Sequence, residues 1–238
     1  MKKLASLCGV VGLGLSLQAH GLTVSPMLMY FHAGTNVQDI TVENQDAAVE
    51  YASVVPLYHQ GIGLSTSKEI PFDGTAPQSF GLMVSPTKVA LQPGTARKVR
   101  VVNLMPSVAA DRVYTITISE INPSEKVVGT VHGATASMSM SYGYKIRVFV
   151  LPANPLPVVT AKRNGTSVTS TNTGNSYISL RSGQLCDLSG DHCKPLSNAL
   201  NYHVLYAGNS WTYTLPSAGV VKYAGVYAET KNMSVKSN

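Results

Sequence analysis

From Ala134 to Leu151 the chain runs 18 residues with alternating side-chain character and no proline. One parity is apolar throughout: Ala134, Ala136, Met138, Met140, Tyr142, Tyr144, Ile146, Val148 and Val150. The other carries Thr135, Ser137, Ser139, Ser141, Gly143, Lys145 and Arg147 before turning apolar at Phe149 and Leu151. A helix would scatter these two sets around its circumference, whereas a strand sends them to opposite faces. The period of two predicts one strand over 134–151, about three times the usual length of about 5–6 residues. Where both parities become apolar, near Phe149, the strand is expected to enter a core.

The rest of the sequence repeats the pattern in shorter pieces, with turn residues every 8–15 positions. Apolar or alternating runs cover Leu22–Phe31, Val37–Val42, Tyr51–Tyr58, Val84–Leu91, Lys98–Asn103 and Val113–Ile121. After the proline-rich stretch Leu151–Pro157 come Ser176–Leu180, Tyr202–Tyr206, Trp211–Leu215 and Val220–Ala228. Regularly punctuated short strands are the pattern of a β-sandwich. No segment has a convincing 3.6-residue period. With 44% hydrophobic and only 13% charged residues the chain is not a disordered tail, and its 20 glycines and 13 prolines follow no collagen period. Three prolines within Leu151–Pro157 stiffen the chain and remove ladder donors, so the segment is expected to link two domains. The expected organisation is all-β: a leader over 1–21, one sandwich over 22–151, a linker over 152–157 and a second β domain over 158–238.

The leader reads as a secretory signal peptide. Met1-Lys2-Lys3 is a basic start, Leu4–Leu17 is apolar, and cleavage is expected after Ala19 or after Gly21. The apolar run is shorter than the roughly 20 residues a membrane span requires. Ala5-Ser6-Leu7 makes a poor lipid-attachment signal ahead of Cys8. Removing 1–21 takes Lys2 and Lys3 from the 18 basic residues and leaves 16 against 12 acidic ones, a net charge of +4. These charges are scattered, which gives no support to nucleic-acid binding. The expected address is the periplasm, with no membrane span in the mature chain.

In that oxidising setting Cys186 and Cys193 read as a local disulfide worth about 2–3 kcal/mol by loop entropy. The competing reading, a metal site with His192, matches no common zinc spacing and lacks a second cysteine pair. Blue-copper ligation from Cys193, His203 and Met233 has the wrong spacing. No cofactor is expected. No nucleophile elbow, phosphate loop or His-Glu-x-x-His motif is present, and the histidines are dispersed, so an enzyme is not expected.

The function lies with the alternating strand. A long apolar strand at a sheet edge invites pairing with another chain, and proteins normally blunt such edges with charge or proline. Residues 134–144 have neither. Such an edge suits strand addition to a partner, and methionines repack readily against varied surfaces.

Several segments then carry a resemblance. Val84-Ser85-Pro86-Thr87-Lys88-Val89-Ala90-Leu91-Gln92-Pro93-Gly94, followed by Lys98-Val99-Arg100-Val101, is similar to the Leu-x-Pro-Gly and Val-Arg segments of the periplasmic chaperones of the chaperone–usher pilus pathway. Tyr114 through Ser119-Glu120-Ile121-Asn122-Pro123 resembles that family's Tyr…Arg-Glu-Ile-Pro-Pro strand end. Lys145-Ile146-Arg147-Val148-Phe149-Val150-Leu151-Pro152 resembles its Lys-Ile-Lys-Leu-Phe-Tyr-Arg-Pro. Asn175–Ile178 and Ala207–Ser210 match more loosely.

The resemblance implies two immunoglobulin-like β-sandwich domains in an L or boomerang, pilus or fimbrial subunits as clients, and delivery to an outer-membrane usher. It implies donor-strand residues Met138, Met140 and Tyr142, with Ala136 as a fourth. It also implies a basic anchor for the subunit's terminal carboxylate at Arg147, with Lys145 the weaker candidate. The family's first-strand arginine is missing, since Pro26–Phe31 holds no basic residue. The methionine-rich first strand and the second-half cysteines look more like the divergent, archaic branch. The alternative is a secreted pilus subunit or adhesion module that polymerises through the same strand; its donor segment would lie near the N-terminus rather than mid-chain.

Overall fold

Two apolar runs that read as single strands each divide at a Ser-Pro step and change sheets. In the computed structural model, which describes residues 21–105, 107–121, 125–131, 134–140 and 143–237, Leu22–Phe31 becomes β1 (Leu22–Ser25) and β2 (Leu28–Phe31). Pro26, which has no N–H to give a ladder, stands between them. Further along come β3 (Val37–Asn44), β4 (Glu50–Gln60), β5 (Lys68–Pro71) and a single helical turn, α1 (Pro77–Phe80). The run expected over Val84–Leu91 is β6 (Leu82–Ser85) and β7 (Lys88–Leu91), divided by Pro86. β8 (Ala96–Asn103), β9 (Arg112–Glu120), β10 (Glu125–Val131), β11 (Ala134–Met140) and β12 (Gly143–Val150) complete the first half.

Two sheets face each other there. One has the order β1-β3-β8-β6; the other has the order β2-β12-β9-β4-β5, with β7 also paired to β4. Each Ser-Pro step thus hands the chain from one layer to the other. Ile40, Val42, Leu82, Val99 and Val101 of the first sheet meet Phe31, Val54, Ile116, Ile118, Ile146 and Val148 of the second in a closed core. Burying each branched side chain contributes about 1.5–3 kcal/mol.

The single strand expected over 134–151 is two strands in two sheets. β12 pairs with β9 from Gly143↔Ser119 to Val150↔Arg112, while β11 pairs with β10 from Val131↔Ala134 to Glu125↔Met140. In the register of its pairing with β12, β9 ends at Glu120, short of the positions that would face β11. β10 then takes over as partner for β11.

The second half contains β13 (Val159–Asn164), β14 (Ser167–Asn172), β15 (Ile178–Cys186), β16 (Lys194–Pro195), β17 (Tyr202–Leu205), β18 (Ser210–Thr214), β19 (Val220–Tyr227) and β20 (Lys231–Lys236). They form a β13-β14-β18 sheet and a β16-β15-β19-β20 sheet, with β17 also on β15, around Val168, Ile178, Leu180, Leu205, Val221 and Val235. Among the described residues no strand of the first half pairs with one of the second. The fold is all-β, with two immunoglobulin-like domains. Cys186 and Cys193 are disulfide-bonded. No helix among the described residues is long and apolar enough to cross a membrane.

Candidate functional site

β12 positions the site because both of its faces are used. Ile146, Val148 and Val150 lie in the first core, so Lys145, Arg147 and Phe149 stand on the opposite face. Phe149 and Leu151 pack with Val113 against Tyr177 and Ala228 of the second half. This is why both parities become apolar at the end of the strand.

One side of β12 pairs with β9 along its length. The other pairs in parallel with β2, but only from Arg147↔Leu28 to Val150↔Phe31. The first bond of that ladder is Arg147 N–H to the Met27 carbonyl, 3.1 Å. Among the described residues Gly143–Ile146 has no partner on the β2 side, and β11 has none on the side away from β10. Arg147 therefore stands where an open strand edge meets an occupied one. Ala136, Met138 and Met140 hold alternate positions of β11, opposite Gly129, Val127 and Glu125. Tyr142 lies outside the described residues.

Arg147 Nη1 donates to His59 Nε2 at 3.0 Å, and Thr115 Oγ1 lies 2.7 Å from the same nitrogen. A guanidinium has only donors, so Nε2 must offer its lone pair and the ring proton sits on Nδ1. Burial pushes the His59 pKa down and the Arg147 charge adds to this, with Glu69 partly opposing. Glu69 Oε1 is 3.8 Å from His59 Nε2, and its Oε2 is 3.8 Å from Lys145 Nζ. The structure thus separates the two basic candidates. Lys145 is 66% exposed and paired with Glu69, whereas Arg147 has no carboxylate within 4 Å among the described residues.

Arg147 opens into a cleft of about 220 Å³ between the two halves. Tyr30 and Phe149 line it from the first half, and Tyr177, Arg181 and Tyr202 from the second. None of its lining residues is acidic. Tyr30 stacks on Phe149 at 5.4 Å and Phe149 on Tyr177 at 4.4 Å between ring centres. The Tyr177 hydroxyl donates to that of Tyr30 at 3.0 Å. The halves are also tied by Asp111 Oδ2, which accepts from the Tyr177 N–H at 2.6 Å and the Ser176 hydroxyl at 3.1 Å. The halves are tied again where Asn209 Nδ2 donates to the Ile62 carbonyl at 2.7 Å.

His59, Glu69, Tyr30 and Arg181 were not singled out for this site by the sequence. His59 is one of several scattered histidines, and Arg181 lies 34 positions beyond Arg147, on a strand of the other domain. No local pattern joins them; sheet order and domain packing do.

No protein-family model matches the chain, and no curated protein matches it by sequence. Solved structures do match in fold. The class 5 fimbriae chaperone CfaA is 16% identical with a TM-score of 0.71, covering 92% of this chain and 99% of CfaA. A chain from a chaperone–tip adhesin complex of CFA/I fimbriae biogenesis is 17% identical with a TM-score of 0.68, covering 91% of this chain and 98% of its own length. A chain from the CsuC–CsuE pre-assembly complex of the archaic Csu pili of Acinetobacter baumannii is 11% identical with a TM-score of 0.59, covering 91% and 98%. The fold of this chain is that of the pilus chaperones.

Proposed function

We propose that the protein is a non-enzymatic periplasmic chaperone, exported by its leader, which holds pilus or fimbrial subunits and passes them to an outer-membrane usher. The observation that carries this reading is the edge along β11 and the first half of β12 that no strand covers among the described residues, and that stops at Arg147 where β2 begins to pair. A subunit strand laid along that edge would complete a ladder with backbone bonds, and its C-terminus would arrive at a guanidinium that, among the described residues, is held by neutral His59 and paired with no carboxylate. Arg147 fixes the register by holding the terminal carboxylate, for which a planar two-pronged donor is well suited. Ala136, Met138, Met140 and Tyr142 then enter the subunit's incomplete core at a spacing of two residues. Lys145, engaged by Glu69, is a secondary contact. A slip of one residue would present Ser137, Ser139 and Ser141 instead, so the anchor and the alternation enforce the same register. Apolar burial and strand pairing supply the free energy, and no cofactor takes part. The domain boundary falls in the 152–157 segment, with the cleft at the junction. The neighbours seen with a tip adhesin or with a pilin support a subunit as the partner.

The test is co-purification from a periplasmic extract that contains the secreted proteins encoded beside this one. The wild type should bring down a stoichiometric small β-rich partner, and Met140→Asp and Arg147→Ala should lose it while remaining folded. Normal partner yield from both variants contradicts the reading. Ordered filaments of the protein itself, without a partner, would instead support the structural-subunit alternative.

A further inference from the structure

The cleft holds a second guanidinium. Arg181 sits on β15 of the second domain and lines the same 220 Å³ space as Arg147. Its Cζ lies 5.9 Å from the centre of the Tyr202 ring, a cation–π contact that keeps the side chain beside the cleft. Arg181 pairs with Ala224 of β19, and the register then shifts by the time Gln184 meets Lys222. This β-bulge begins at Ser182, whose φ of +52° lies in the left-handed region. Bulges of this kind re-aim side chains near functional sites. Among the described residues no carboxylate lies within salt-bridge distance of either arginine; of the junction's acids, Glu229 lies 3.4 Å from His32 and Asp111 accepts from the Tyr177 N–H.

Two like charges facing one small, aromatic-walled space repel each other until an anion lies between them. The Tyr30 hydroxyl adds a neutral donor. It accepts from Tyr177, so its own proton remains available to the cleft. Burial raises the Tyr30 pKa, the Tyr177 hydrogen bond and Arg181 partly oppose this, and Glu229 adds to the rise, so the hydroxyl keeps that proton at neutral pH.

We propose that Arg181 is a positioning residue that grips the subunit's terminal carboxylate together with Arg147, so that the anchor is shared between the two domains. This rests on the chaperone reading above. A consequence is that a bound carboxylate ties the second domain to the first, which a single-domain anchor would not do.

The experiment uses the mature protein and two probes, the N-acetylated tripeptide Val-Thr-Phe with a free carboxylate and the same tripeptide as its amide. Binding is followed by NMR through the arginine side-chain N–H signals, assigned from single Arg→Lys variants. Wild type should prefer the free acid over the amide at least tenfold. Arg181→Ala and Arg147→Ala should each reduce that preference by about tenfold, as expected for loss of a charge-assisted hydrogen bond. Arg181→Lys should restore part of it. Arg181→Met, which keeps the apolar stem on Tyr202, should behave as Arg181→Ala, and this separates charge from packing. If Arg181→Ala and Arg181→Met keep the full preference while Arg147→Ala loses it, the inference is overturned and the chaperone reading stands. If wild type does not distinguish acid from amide, the carboxylate anchor itself is wrong, and the inference goes with it.

Discussion

Arg147 donates a hydrogen bond to the buried ring of His59 at 3.0 Å, so the proposed anchor is held by a group that can accept only while it is neutral. Protonating His59 would remove the acceptor and set two cations side by side. Burial is the larger cause of its lowered pKa, and Arg147 is the next. Since the folded-state pKa lies below the ordinary value of 6.5, the unfolded chain binds more protons in the window between the two. Stability contributed by neutral His59 is therefore present above 6.5 and lost as the pH falls through the folded pKa. Urea unfolding across pH 5–7.5 should show wild type weakening below about 6.5. His59→Gln, which can still accept from Arg147, should weaken less. Equal slopes for the two proteins would count against this arrangement.

Asp111 should behave in the opposite sense. Burial pushes its carboxyl up to about 6 even though the Tyr177 N–H and the Ser176 hydroxyl both donate to it. Its other oxygen, Oδ1, is buried with no hydrogen-bond partner among the described residues. A raised folded pKa gives stability that is full below about 4 and is lost as the pH rises through about 6. Asp111→Asn keeps an acceptor for Tyr177 and removes the buried charge. It should raise unfolding stability at pH 7.5 by about 1–3 kcal/mol and flatten the profile between pH 4 and 6. A loss of stability at pH 7.5 would show that the charge itself ties the domains.

Gly63 is where the β4–β5 loop comes against the second domain. Its φ is +80°, and a Cβ there would run into the Asn209 amide and the Tyr206 ring. Gly63→Ala should cost about 1–3 kcal/mol in unfolding stability, combining left-handed strain with displacement of the Asn209 bond to Ile62. An unchanged midpoint would mean that the loop can lift off freely.

Reduction of the Cys186–Cys193 disulfide should weaken the second domain selectively. The chain has one tryptophan, Trp211, in β18, so its fluorescence follows that domain. Cys186→Ser with Cys193→Ser should lower the unfolding free energy seen by Trp211 by about 2–3 kcal/mol. Coincidence with the wild-type curve would contradict the loop-entropy account.

Much of this fold was legible because strands leave a local trace. Val113–Ile121 and Lys98–Asn103 alternate in the sequence and are strands in the structure, nearly residue for residue. That Arg147 faces away from the first core was legible, because its strand alternates; its role as an anchor came from the family resemblance and is a proposal. The sheet changes at Pro26 and Pro86 were not legible, because apolar residues continue on both sides of each proline and nothing local says which layer receives the next strand. β10 was missed for a related reason: Glu125-Lys126 and Gly129 break the alternation, and its pairing with β11 follows from where β9 runs out. His59 and Arg181 reach the site only through strand order and domain packing, which are long-range properties.

The most direct test of the central claim is hydrogen exchange on the protein alone and with the subunit recovered by co-purification, read amide by amide over Ala134–Met140. In the free protein every second amide of β11 faces β10, and the others face the edge that has no partner strand among the described residues. The account predicts that subunit binding slows the open-edge amides strongly, with a spacing of two residues, and that Arg147→Ala abolishes this pattern. A stoichiometric complex in which β11 exchanges as it does in the free protein would contradict capture through this strand.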